Sequence, residues 1–458
     1  MARTKLIYDY TSGSIPKQLG RFMLPFMGSN ALQLVYSMVD MVIVGRYVGK
    51  EGLSAVSQGS MIIIFFTMFC LGFSNGGQIM IAQFVGADRK NQLKPLIGTL
   101  FSIMAIGGAV LTVLCLLLRG TFLRLMSVPP EAWDMARAYV TVCGGGLLFT
   151  VGFNAVSAIL RGMGDSRHPF IFLAVSSLLN LILDYVLTGV LGLGVAGAAF
   201  ATIFSQAVSF IAAVIFLRHN EEEFHFDFRL RSFRIYPDML SNMTKLGIPL
   251  ALQMVAINIS MMICHTFINR LGVVASATFG VGVKVDDIGN KLTLGIQYAA
   301  APMLAQNFGA GKHKRVRGVV YWTWIMAGIV YLIFTTVYLI FGRQIFGLFT
   351  DDAAVLDLAP VFIHAIVWSF PGMVVMRGAN SLLQGTGSAR LLMAFAFIDA
   401  GARVLLSWLF GIVFHAGFPG FVLGFGIAIY GICIPGACYF FFGKWAEKKS
   451  MAHAEQEA

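Results

Sequence analysis

The chain has 458 residues, of which 57% are hydrophobic and 12% charged, with a formal net charge of +11. A soluble domain carries roughly a quarter charged residues to meet water, and a soluble chain of this length divides into domains with polar linkers. This composition excludes a water-solvated surface. It leaves a bilayer as the surroundings, and with the basic residues confined to short segments between apolar runs it excludes a nucleic-acid partner.

In chain order, the polar start MARTKLIYDYTSGSIPKQLGR shows no cleavable leader and runs into an apolar stretch too long for a signal core. A bilayer crossing needs roughly 20 apolar residues. Candidate spans cover 18–46, 53–84, 94–118, 133–160, 167–190 and 195–217, then 242–270, 274–306, 316–342, 355–382, 390–415 and 419–443. The expected fold class is an all-α membrane protein of about twelve transmembrane helices in two six-helix lobes. The expected division is an N-terminal lobe over 1–218, a linker over 219–241, a C-terminal lobe over 242–443 and a tail over 444–458.

Of the 33 Lys and Arg, only Arg46, Lys50, Arg119, Arg124, Arg270 and Arg343 fall in the odd-numbered connections. The positive-inside bias puts both termini and the linker in the cytoplasm of a multi-pass cell-membrane protein. The linker, with Glu221, Glu222 and Glu223 beside Arg229, Arg231 and Arg234, reads as a solvated mixed-charge connection. The cysteines at 70, 115, 143, 264, 433 and 438 lie in apolar segments without ligand spacing, so they read as buried free thiols and no metal site is expected.

The two halves repeat. Ala82-Gln83-Phe84-Val85-Gly86-Ala87 recurs 223 residues on as Ala305-Gln306-Asn307-Phe308-Gly309-Ala310, and Leu160-Arg161-Gly162-Met163-Gly164 recurs at the same offset as Leu383-Gln384-Gly385-Thr386-Gly387. Pro25 has its counterpart in Pro249. Six helices per repeat give both copies the same membrane orientation, a parallel repeat about the membrane normal.

The QxxGA and L(R/Q)GxG pairs, together with Asn180-Leu181-Ile182-Leu183-Asp184-Tyr185 and Gly192-Leu193-Gly194-Val195-Ala196-Gly197-Ala198-Ala199, resemble the multidrug and toxic compound extrusion (MATE) family over nearly the whole chain. With its acids concentrated in the N-terminal half and none in 242–270, the chain resembles the DinF-like subfamily. The resemblance implies that Asp40, Asn180, Asp184 and Thr202 form one polar cluster that couples transport to an ion.

Intramembrane carboxylates are expensive and read as functional by default. Asp40 stands mid-span with no basic residue within a turn, and Asn180 and Asp184 share a helix face. Two carboxylates close together in low dielectric favour holding a proton between them, and the same oxygens suit Na⁺; a plain interhelical hydrogen bond is the competing reading. Gln33 and Tyr36 form a polar stripe with Asp40, and Asn154 and Ser157 form another; both are candidates for a substrate cavity, with interhelical packing as the alternative. Pro25 marks a helix bend, and the resemblance suggests a hinge linked to Asp40. Asp286 and Asp287 near Lys284 and Lys291, and Asp399 with Arg403, read as internally compensated charge; Arg377 has no evident partner.

The expected function is therefore a secondary active antiporter, monomeric and without cofactor. It exports amphipathic, often cationic organic molecules in exchange for H⁺ or Na⁺ by alternating access. The alternative is a flippase of lipid-linked sugars, which calls for an arginine-rich cavity. Gly162-Met163-Gly164-Asp165 matches an intramembrane-protease motif, but Ser166-Arg167-His168-Pro169 follows at once, so it reads as a helix-ending turn and no enzyme is expected.

Overall fold

The computed structural model describes residues 7–454, and among these all regular structure is helical. Twelve long helical segments follow one another: α1 (Ile15–Tyr47), α2 (Lys50–Gly86), α3 (Leu93–Leu125), α4 (Pro130–Gly145 and Leu147–Gly162), α5 (Arg167–Asp184), α6 (Gly194–His219), α7 (Pro237–Asn269), α8 (Val273–Gly309), α9 (His313–Gly347), α10 (Ala353–Ile366 and Phe370–Gly385), α11 (Ala389–Trp408) and α12 (Gly417–Ile427 and Tyr430–Phe442). Among the described residues ten spans are long and apolar enough to cross a membrane, and the two halves of α4, bent by 46° at the Gly146 break, make an eleventh. The twelfth, α8, is 37 residues long but carries Lys284, Asp286 and Asp287 in its first half and Gln297, Gln306 and Asn307 in its second. Long apolar side chains such as Val42, Leu117, Met262 and Phe442 stand outward. Water would penalise such a surface and lipid accepts it.

The duplication extends to backbone detail. Left-handed glycines close the same turns in both copies, Gly49 with Gly272 and Gly164 with Gly387, each pair 223 residues apart. A π turn follows α5 at Tyr185–Val190 and α11 at Leu409–Val413. In each copy a glycine of the next helix presses against that turn: Gly197 against the Leu187 backbone and Gly420 against the Phe410 backbone.

Contacts divide the chain into two compact units. One unit holds Gly28–Ala251 with the segment up to Asp9; the other holds Tyr10–Met27 and everything from Leu252. The start of α1 therefore belongs with the second copy, and the start of α7 with the first. Small residues are the reason. A Cβ on Gly295 of α8 would lie 3.0 Å from the Met27 nitrogen, and one on Gly72 of α2 would lie 2.5 Å from the Gly247 carbonyl oxygen. Close backbone approach of this kind gives dispersion contact where lipid provides no hydrophobic drive. The pre-helical segment is fastened within the second unit: Tyr10 N–H donates to Gln306 Oε1 at 3.0 Å, and Asn307 Nδ2 donates to the Tyr10 carbonyl at 3.0 Å.

The linker keeps Glu221, Glu222, Arg229, Arg231 and Arg234 exposed as expected, but its phenylalanines dock on α3. Phe226 and Phe228 alternate with charged residues, and with Phe233 they close on Phe101 of α3 in a ring cluster. Phe224, Phe226 and Ser232 are buried. Lys94 Nζ donates to Asp227 Oδ2 at 2.8 Å, and Ser102 Oγ donates to the Phe233 carbonyl at 2.5 Å. The charge pattern concealed an aromatic period of two. Of the cysteines, all free, Cys438 is exposed rather than buried.

Two outcomes are expected. Gly98 of α3 faces the Ser232 carbonyl so closely that a Cβ would overlap it. Gly98→Ala should lower stability by about 1–3 kcal/mol and raise amide exchange across 224–236; unchanged melting and exchange would refute the docking. The Lys94 hydrogen bond, with that of Ser232, holds the Asp227 carboxyl well below the usual carboxylate range. A depressed folded value means that its contribution is complete above the unfolded value of about 3.9 and is lost as pH falls below it. Exchange in the linker should rise in that acid window, and Asp227→Asn should reproduce the rise at neutral pH.

Candidate functional site

Within the first unit, four helices bring acidic and polar groups together. α1 beyond Gly28 carries Tyr36 and Asp40 one turn apart; α5 carries Asn180 and Asp184 one turn apart; α6 carries Thr202; α4 carries Tyr139 and Cys143. The Asp40 and Asp184 carboxyls adjoin one another, and Tyr36 and Cys143 lie within electrostatic reach of both. Asn180 Nδ2 points at Thr202 Oγ1 at 3.5 Å, and Thr202 gives its own proton to the Ala198 carbonyl at 3.0 Å. The threonine oxygen therefore keeps acceptor capacity toward the cluster. Tyr139 is held by Ser60 of α2, oxygen to oxygen at 3.1 Å.

Asp184 is completely buried. Among the described residues its carboxyl oxygens have beside them only the Asp40 carboxyl and the Asn180 amide, neither in normal hydrogen-bond geometry, and neither acid has an ion pair. Thr188 and Ser205, one turn beyond Asp184 and Thr202, are likewise buried with hydroxyl oxygens that find no partner. Buried polar groups are nearly always satisfied, so unmet oxygens gathered in one region ask for a proton, water or cation. Such a set of carboxyl, amide and hydroxyl oxygens matches a proton or a hard cation and offers nothing to a soft metal.

Four of the residues singled out from sequence, Asp40, Asn180, Asp184 and Thr202, thus lie together with Tyr36. Gln33 is exposed and makes no hydrogen bond to the cluster; Asn154 donates to the Thr150 carbonyl of its own helix at 2.9 Å; Ser157 is buried without a partner. Pro25 lies in the part of α1 that belongs to the second unit, and the chain passes to the first between Met27 and Gly28. Tyr139, Cys143 and Ser60 were missed. Their signal was a tyrosine and a cysteine one turn apart in an apolar helix, which reads equally well as core.

The second copy supplies an internal comparison. Helix α7 matches α1 at the Pro25–Pro249 offset of 224, which sets Ser260 and Cys264 against Tyr36 and Asp40, and 223 residues beyond Tyr139, Asn180, Asp184 and Thr202 stand Phe362, Arg403, Ser407 and Phe425. There Phe362 and Phe425 belong to a tightly packed apolar core. Arg403 stacks over the Phe425 ring at 4.9 Å and pairs with Asp399 at 2.7 Å. One copy keeps two acids where the other keeps Cys264 and Ser407, and the second copy surrounds those positions with rings and a closed ion pair. Asp287 pairs with Lys291 at 3.0 Å as expected, but among the described residues Asp286, which is buried, has no ion pair, which corrects the expectation of compensation there.

Asp165 of the protease-like motif is buried and accepts the backbone N–H groups of Arg167 and His168 at 2.9 and 3.2 Å, opening α5. It is a helix cap, with no second acid in reach of its filled oxygens.

An all-helical, internally duplicated membrane chain with unpaired acids buried in mid-span is the architecture of a transport protein. The MatE family model matches twice, over residues 25–186 and 249–409, one match per copy. The chain is 28% identical over 449 residues to the probable multidrug resistance protein YpnP of Bacillus subtilis, covering 96% of this chain and 98% of that one. It is 26% identical over 456 residues to the probable multidrug resistance protein NorM of Thermotoga maritima, covering 96% and 95%. A solved outward-facing multidrug resistance MATE family transporter of the MOP superfamily shares the fold with a TM-score of 0.89, at 22% identity and 98% coverage of each chain. This protein belongs to the MATE family, and it is a membrane transporter, not an enzyme.

Burying an unpaired carboxylate costs stability that an amide of the same shape avoids. Asp184→Asn should therefore melt no lower than the parent protein and up to about 1 kcal/mol more stably. A loss of more than that, read by thermal unfolding in detergent, would mean that the carboxylate holds the helices together.

Proposed function

We propose that the protein is a secondary antiporter that exports amphipathic, often cationic organic molecules in exchange for H⁺ or Na⁺. The observation that carries this reading is the Asp40–Asp184 pair, the first half-buried and the second buried, without counter-charge in one copy while the duplicate fills the matching positions with a cysteine and a serine. Asp40 and Asp184 would bind the ion, Asn180 and Thr202 would complete the oxygen set, and Gln33, Tyr36, Asn154 and Ser157 would meet the cargo. A small organic cargo is supported by the names of the relatives, multidrug resistance and multidrug export proteins. The DinF-like placement rests on the acids of the first copy and on the absence of any in the membrane part of α7.

Alternating access requires that ion and cargo favour opposite states, so each promotes release of the other. Pro25 is the proposed hinge, because it lies three residues before the point where α1 changes unit. The basic-residue bias supports cytoplasmic termini, and the duplicated chain supplies both halves of a carrier within a monomer.

In proteoliposomes loaded with a fluorescent organic cation, an inward-directed H⁺ or Na⁺ gradient should drive efflux. Asp40→Asn should reduce the gradient-driven component at least about tenfold while binding of the dye persists. Efflux that ignores both gradients, or that is unchanged in Asp40→Asn, would overturn the ion site.

A further inference from the structure

Arg377 stands in the second segment of α10 and is 2% exposed. Its Nε donates to Thr293 Oγ1 at 3.2 Å, its Nη1 to Gln297 Oε1 at 3.2 Å, and its Nη2 to the Asn290 carbonyl at 3.2 Å and to Asn290 Oδ1. Every acceptor is a neutral oxygen on one face of α8. Among the described residues Arg377 has no ion pair: Asp287 is taken by Lys291 and Asp399 by Arg403, and Asp286, one turn before Asn290, pairs with nothing. A guanidinium does not shed its proton inside a protein. The second unit therefore holds a permanent charge in mid-span that dipoles alone solvate, an expensive arrangement if nothing else ever meets it.

The counterpart of Arg377 in the first copy is Asn154, whose amide bonds only its own helix. The charge is thus an addition of the second copy and not a requirement of the shared helix packing. Four hydrogen bonds leave at least one N–H of the five-donor fork unused. Thr293 and Gln297 are buried, whereas Asn290 is half-buried and marks the side from which the guanidinium is reached.

We propose that Arg377 recognises an anionic group, a carboxylate or a phosphate, on the molecule that the protein moves. The planar fork suits those oxygens in bidentate fashion, and the Asn290 amide is the partner placed to yield to them. The cargo is then a zwitterionic or anionic amphiphile, not a simple cation. This rests on the export reading above and narrows its substrate class.

The test uses the full-length protein in phosphatidylcholine nanodiscs and a xanthene dye in two forms, free carboxylate and methyl ester, with binding followed by fluorescence polarisation. The wild type should prefer the acid by about tenfold. That preference should fall to about one in Arg377→Gln and be partly kept in Arg377→Lys, which retains the charge without the fork. A merely structural arginine would move both dyes together and leave the ratio intact; no acid preference in the wild type, or a preference surviving Arg377→Gln, overturns the proposal. Should Arg377→Gln fail to fold, the ratio in Arg377→Lys decides. Repeating the measurement with phosphatidylglycerol added distinguishes the source of the anion: loss of the acid preference as that lipid is added assigns the site to a lipid headgroup phosphate. Acid-selective binding without gradient-driven movement of either dye would keep the anion site and reject the antiporter.

Discussion

Lipid offers no hydrogen bonds and little screening, so each polar group carried into the spans must find its answer inside the protein. The backbone is answered by helices, and the side chains are answered differently in the two copies of one fold. In the second copy Arg403 is closed by Asp399 and by the Phe425 ring. In the first, the matching positions hold Asn180 and Thr202 in a long, weak contact beside two carboxyls that no residue neutralises. Identical scaffolding with opposite electrostatic outcomes separates what the fold needs from what the chemistry needs. The fold is content with a buried cysteine, Cys264, at the place of Asp40, so the acid is there for another reason.

Glycine sets where the chain passes from one unit to the other. Gly72 and Gly295 are counterparts, and each accepts the backbone of the other copy's first helix at a distance that a side chain would forbid. As a result α1 and α7 each begin in one unit and end in the other, near Pro25 and Pro249 respectively. A proline lacks the N–H that would stiffen the helix at that level, so the two softest points of the long helices coincide with the two crossings.

Much of this was legible in the residues. Twelve spans could be drawn because apolar length is a local property, and the duplication was visible because QxxGA and L(R/Q)GxG recur at one offset. Asn180 and Asp184 could be paired by helical spacing alone. The unreadable parts all depend on what a side chain meets across a gap between helices. Phe226, Phe228 and Phe233 were hidden among charges until Phe101 gave them a surface. Tyr139 and Cys143 gained meaning only from α1 and α5 opposite them, and the three partners of Arg377 lie eighty to eighty-seven residues away along the chain. The exchange of first helices was invisible for the same reason, since glycine in an apolar run signals close approach but not to whom.

The π turns after Asp184 and at Leu409–Val413 carry a consequence for helix phase. A π turn is an α-helix that has taken up one additional residue, so everything beyond it is rotated by about 100° relative to an uninterrupted helix. Gly197 and Gly420 each make room for the displaced backbone, and both copies keep the arrangement although only one has a carboxylate beside it. The slipped phase therefore belongs to the packing and not to the acid at 184, which lies just before it. Shortening 185–190 by one residue would leave every motif spelled as before, yet turn the end of α5 by a quarter revolution and present α6 with a different face.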